Sequence, residues 1–176
     1  MRRAWQRHGW WWAAALALTV LAALALIGPE RRSSLGEATA DGPMRHVPVD
    51  AVQRVQVRAG DLALQVQRDA SGWSLGGRPL PDGATAQLQA GLRLLHNTPA
   101  ERRFDAESSE FGLATPSLAI DVRAAEGTGV AVTFGATNPS GFGRYARVVQ
   151  GPEAGVVMLP SDVHDHWQQW LRSTAP

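Results

Sequence analysis

The chain is 176 residues long, with seventeen basic residues, every one an arginine, against sixteen acids, and that length is room for one domain plus an extra segment. It has no cysteine, which excludes a disulfide framework, a thiolate metal site and a lipid-modified cysteine anchor. Charge is unevenly spread: residues 1–32 hold five Arg and one acid, whereas residues 44–176 hold twelve Arg and thirteen acids. The larger part therefore lacks the basic footprint of a nucleic-acid binder.

Residues 10–27 are eighteen residues without a charge, preceded by Arg2, Arg3 and Arg7 and closed by Pro29. As a helix they span about 27 Å, close to the ~30 Å hydrocarbon core of a bilayer. Trp5 and Trp10 to Trp12 lie where an interfacial aromatic belt belongs. The expectation is an uncleaved transmembrane helix over 10–27 in contact with membrane lipid. Residues 1–9 are then cytoplasmic and the C-terminal domain periplasmic, in a bacterial inner membrane. Arg31 and Arg32 weaken the charge asymmetry on which that orientation rests. The competing reading is a cleaved signal peptide with Ala23-Leu24-Ala25 at its cleavage site, although the run exceeds the usual apolar region of ~7–15 residues.

Residues 28–46 are rich in Gly, Pro, Ser and charge with no apolar period, and read as a flexible linker of about 25 Å root-mean-square reach. A domain over 47–172 follows, with 173–176 as a tail. It opens with period-2 alternation: Val55 and Val57 face one way, then Leu62, Leu64 and Val66 point inward, and Trp73 and Leu75 continue after a turn. Leu88, Leu92 and Leu95 recur at helical spacing between Asp82 and Pro99. Strands resume at Leu118, Ile120 and Val122, then at Val130, Val132 and Phe134, then over 144–149 and 155–159. A last helix is expected from Ser161, read as its N-cap, to Arg172, with Val163, Trp167, Trp170 and Leu171 as its apolar face. The pattern predicts an α+β domain, a mainly antiparallel hairpin-rich sheet with two covering helices. Strands followed by a helix in each half raise a degenerate two-half repeat.

Gly141, Gly143 and Ala146 have the G-x-G-x-x-A spacing of a phosphate loop, with Asp162 nineteen residues beyond Gly143. Such a loop must open a helix, whose N-terminal N–H groups hold the phosphate. Here Tyr145, Val148 and Val149 favour a strand and Gly151-Pro152 ends it. The run is expected to be a hairpin turn through Asn138-Pro139-Ser140-Gly141, with no nucleotide bound.

Phe111-Gly112-Leu113, Pro116, Phe134-Gly135 and Tyr145-Ala146-Arg147, with Trp73 and the Leu88/Leu92 helix in the first half, follow a spaced pattern. Over residues 49–171 this pattern resembles domain-of-unknown-function family 4340. The resemblance implies a membrane-anchored envelope domain, and some members are associated with gliding-motility-type ABC export systems. It supplies no active-site residues. Physically, Gly112 and Gly135 are expected to permit tight turns, Pro116 to start a strand, and Trp73 and Phe111 to fill a core.

Arg144, Tyr145 and Arg147 are the candidate partner-contact residues, because Arg and Tyr are favoured in interface hot spots. Tyr145 and Arg147 share one strand face, and Arg144 sits at its mouth. Asp162, His164, Asp165 and His166 resemble a metal cluster, but the two histidines are two apart and point to different helix faces. Ser108, Ser109, Ser117 and Ser140 have no local base, and no G-x-S-x-G elbow is present. Asp105, Glu107 and Glu110, beside Arg102 and Arg103, read as a solvated charge cluster. No catalytic residue, cofactor or metal is assigned. The favoured function is a single-pass, membrane-anchored periplasmic accessory protein with a membrane-protein partner, in an envelope or ABC-exporter-type complex, without catalysis of its own. The other class is an anchored hydrolase or small-ligand domain, which needs a concave pocket of converging polar groups, for which Asp121, Arg123, Arg144 and His164 are candidates.

Overall fold

A computed structural model describes residues 42–125 and 127–175. The segment 10–27, read as transmembrane, lies outside the described residues, as does most of the linker. Among the described residues no helix is long and apolar enough to cross a membrane. Among the described residues nine strands form one antiparallel sheet: β1 (Val52–Ala59), β2 (Leu62–Asp69), β3 (Gly72–Leu75), β4 (Arg78–Pro79), β5 (Arg102–Phe104), β6 (Leu118–Ala124), β7 (Gly129–Thr137), β8 (Gly143–Gln150) and β9 (Glu153–Pro160). The helices are α1 (Asp82–Asn97) and α2 (Ser161–Thr174). The sheet order is β4-β3-β2-β1-β6-β7-β8-β9-β5. Four strands and a helix are thus followed, after the short β5, by four more strands and a helix. The first strands of the two runs, β1 and β6, pair at the sheet's centre through Val55↔Val122 and Val57↔Ile120.

Alternation decides which face is buried. Val55, Val57, Leu64, Val66, Ile120, Val122, Val132, Phe134, Val157 and Leu159 point to one face and form a single core with Leu88, Leu92 and Leu95 of α1 and Val163, Trp167, Trp170 and Leu171 of α2. The two helices lie side by side on that face. Gly91 lets them approach, since a Cβ there would meet the Trp167 ring at 2.8 Å. Trp170 Nε1 donates to the Ala84 carbonyl at 3.0 Å, and His166 Nε2 lies 2.8 Å from the Gln87 carbonyl oxygen. These bonds satisfy polar groups that helix packing would otherwise strand.

Several expectations are corrected. The domain begins before residue 47: Gly42 and Met44 donate backbone hydrogen bonds to the carbonyls of His96 and Leu95, and Met44 is fully buried. Leu62 shares the core-side face with Leu64 and Val66 but is not buried there, being 43% exposed. It sits at the hairpin end of β2, where β3, which pairs only from Val66 onward, no longer flanks it. Ser161 does not cap α2. The cap position is Pro160, and the Ser161 hydroxyl donates instead to the Gly141 carbonyl at 3.4 Å. Gly135 occupies no turn. It lies within β7, where the Phe111 carbonyl crosses so closely that a Cβ would meet that oxygen at 2.0 Å. Gly112 is the turn glycine, left-handed at φ +66° after a short 3-10 turn.

Candidate functional site

Among the described residues no α-helix packs on the sheet's second face. On it stand Arg54, Gln56 and Arg58 of β1, Ala119, Asp121 and Arg123 of β6, Ala131 and Thr133 of β7, and Tyr145, Arg147 and Val149 of β8, all set by the pairing register. Arg123 and Asp121 form a bidentate pair, Nε–Oδ1 2.7 Å and NH2–Oδ2 2.9 Å. That pair relieves the repulsion of Arg54 directly opposite Arg123. Arg54 and Arg58 have no ion-pair partner among the described residues. Toward β5 the connection over residues 105–116 folds back onto this face. Phe111 stacks on Tyr145 with centroids 4.2 Å apart, Phe104 meets both rings, and Arg102 lies 5.0 Å over Phe104. Phe111, Leu113 and Val156 make this a second, smaller apolar cluster. Glu107 of the same connection pairs with Arg147. Register also brings Arg102 to Met158 and Phe104 to Val156, making a strand of what reads in sequence as a polar connection.

The structure therefore divides the candidate contact residues. Tyr145 and Arg147 are together on the open face, half-buried by the Phe111 ring and by Glu107. Arg144 turns to the covered face, donating to the Gly135 carbonyl at 3.2 Å and, more weakly, to Ser117 Oγ at 3.5 Å. A register shift between Phe134 and Thr137 places that carbonyl within its reach.

Arg144 belongs to a buried polar cluster that no local motif announces. His164, 1% exposed, points from the first turn of α2 to Ser117, just before β6, Nε2 to Oγ 3.2 Å. Its Nδ1 lies 2.8 Å from Asp165 Oδ1. Asp165–His164–Ser117 has the order of a nucleophilic relay. Its surroundings do not suit one: Ser117 Oγ faces the carbonyl oxygens of Phe134 and Gly135 at 3.2 and 3.3 Å. A hydroxyl that donates to those carbonyls is not donating to His164, and Arg144 beside it is engaged by the Gly135 carbonyl. The cluster ties α2 to β6 and to the β7 bulge. His164 and His166 turn to different partners, Ser117 and Gln87. Among the described residues no group of three or more His, Cys, Asp or Glu could hold a metal ion.

Burial lowers the His164 pKa below its ordinary value, reinforced by the Arg144 charge and opposed by the hydrogen bond to Asp165. The folded state then holds fewer protons than the unfolded one. Its contribution to stability is full above about pH 6.5 and is lost as pH falls from there through the folded-state value. Urea unfolding of the domain is expected to show a declining midpoint between pH 7.5 and 5, and His164→Gln is expected to flatten that decline. An unchanged slope in the variant would assign the acid sensitivity elsewhere.

Asp121, Arg123, Arg144 and His164 do not converge on one pocket. Asp121 and Arg123 lie on the open face, Arg144 and His164 beneath α2. Two depressions are found elsewhere. One, of about 90 Å³, is lined by Arg45, His46, Arg103, Gln150 and Glu153 among others. The other is a shallow groove of about 680 Å³ beside Leu75, Arg78, Leu80, Ala84 and Gln87. Neither includes any of those four residues. The run from Gly141 to Ala146 is the β7–β8 connection and the start of β8, so no helix N-terminus follows it. No protein-family model, curated protein or solved structure matches this chain. The family resemblance rests on its spaced residues alone.

Proposed function

We propose that this chain is a single-pass, membrane-anchored interaction protein whose domain docks on a membrane-protein partner outside the cytoplasm, in an envelope or ABC-exporter-type complex. The observation that carries the reading is the sheet face on which no described α-helix packs. It presents Arg54, Arg58 and the Tyr145–Arg147 pair beside small residues, Ala119, Ala131 and Thr133. Flat, arginine-bearing surfaces with a packed aromatic suit protein recognition better than they suit small-molecule capture. The apolar run over 10–27 supplies the anchor in this reading, and residues 28–41 the tether. The order of elements supports a repeat, two four-strand meanders each followed by a helix and joined through β1 and β6. The hydrolase alternative has one observation in its favour, the Asp165–His164–Ser117 chain, and the carbonyls around Ser117 weigh against it.

Charge reversal separates contact from scaffold. Arg147→Glu removes a half-exposed ion pair worth at most about 1 kcal/mol. It is expected to reduce partner recovery with little change in melting temperature. Arg144→Glu places a carboxylate against the Gly135 carbonyl and is expected to cost about 2 kcal/mol or more in stability. Normal recovery by the Arg147→Glu protein would remove this residue from the contact.

A further inference from the structure

The β7–β8 hairpin carries a side chain that the fold leaves unused. Phe142 is 80% exposed, the most exposed large apolar residue among those described. The loop beneath it is nevertheless pinned. Asn138 Oδ1 accepts from the Gly143 N–H at 3.1 Å and from the Ser140 hydroxyl at 3.0 Å. Asn138 N–H donates to the Gly143 carbonyl at 2.8 Å, and Gly141, at φ +82°, donates to the Asn138 carbonyl at 3.0 Å. The Phe142 carbonyl itself accepts from Ser161 N–H at 2.9 Å, which braces the tip on the start of α2. A flexible loop would lose ordering entropy on binding, and this one has little left to lose. An aromatic ring held out in this way leaves a large apolar area wet, and that area returns free energy when it enters a socket.

The surroundings choose the socket. Residues 137–143 carry no charge, and Arg144 beyond them turns inward to Gly135. The nearest exposed charges on the bracing helix are Asp162 and Asp165. An anionic bilayer surface repels that rim, and a protein socket edged by Arg or Lys complements it.

We infer that Phe142 is the apolar anchor of a second contact, seated in a basic-rimmed apolar socket of a partner protein. This rests on the interaction reading above and adds a contact at the end of the sheet, distinct from the open face. A photoreactive phenylalanine analogue at position 142 of the full-length chain in its native membrane tests it, with the same probe at Val149 on the open face. The expected result is one protein adduct from position 142, mapping to an apolar site bordered by Arg or Lys. Phe142→Ala is expected to lower recovery of that protein about tenfold or more with an unchanged melting curve, and Phe142→Leu to retain most of it. Adducts from 142 to lipid alone, to a second copy of this chain, or to no molecule overturn the inference. Protein adducts from 149 but not from 142 would leave the open-face reading standing, and none from either position would sink both.

Discussion

Gly135→Ala is expected to destabilise the domain by about 3 kcal/mol or more, at or above the upper end for overpacked sites. The obstruction is backbone: a Cβ would fall 2.0 Å from the Phe111 carbonyl oxygen and 3.0 Å from the Gly112 carbonyl carbon. Neither can move as a flexible side chain would. The 109–113 segment must lift off β7, taking with it the Phe111 ring that stacks on Tyr145. Gly141→Ala is the matched control, because its Cβ would meet open space and pay only for φ +82°, about 1–2 kcal/mol. Thermal melts of the two variants decide the matter. A Gly135→Ala protein no less stable than Gly141→Ala would mean that the crossing is not close.

Trp167→Ala is expected to cost about 3–5 kcal/mol, the usual range for a large buried aromatic, and to lower the melting temperature by roughly 10 °C or more. Trp167 is fully buried, lies edge-on to Trp170 at 5.8 Å and fills the space that Gly91 leaves between the helices. Trp167→Phe separates ring volume from ring polarity. The Trp167 Nε1 atom is buried without a hydrogen-bond partner, so the smaller ring forfeits volume but no bond. Its loss is expected to stay below about 2 kcal/mol. Equal losses in the two variants would point to the indole N–H, not to packing.

The core was legible because alternation and helical spacing are local properties. Val55 and Val57, Ile120 and Val122, and Leu88, Leu92 and Leu95 are buried where the pattern puts them. The misses have non-local causes. Met44 sits in a stretch of Gly, Pro and charge, and only its contact with the end of α1 makes it core. Strand β5 exists because β9 offers an edge, and three residues beginning with two arginines do not announce a strand. Gly135 reads as a turn glycine by residue type, whereas its role comes from a segment some two dozen residues earlier crossing over it.

The site was less legible than the fold. That Tyr145 and Arg147 share a face follows from period 2, but the bonds that hold Arg144 inward come from Gly135 and Ser117, distant in sequence. Ser117 and His164 meet across 47 positions. One sequence signal was present, a polar residue within the apolar stripe Val163, Trp167, Trp170 and Leu171, since His164 lies one turn from Trp167 on the same face. Phe142 gave no signal, because an aromatic residue in a glycine-rich run reads equally as core or surface.

The central claim is that the domain works by contact. Crosslinking in intact cells, followed by affinity recovery and mass spectrometry, tests it most directly. Two versions are compared, the full-length chain and residues 42–176 carried on an unrelated membrane anchor. Recovery of the same stoichiometric membrane complex with both versions is the predicted result, because the contact is assigned to the domain. Recovery of the protein alone in both cases, or of a partner only with the native 10–27 segment, would contradict it.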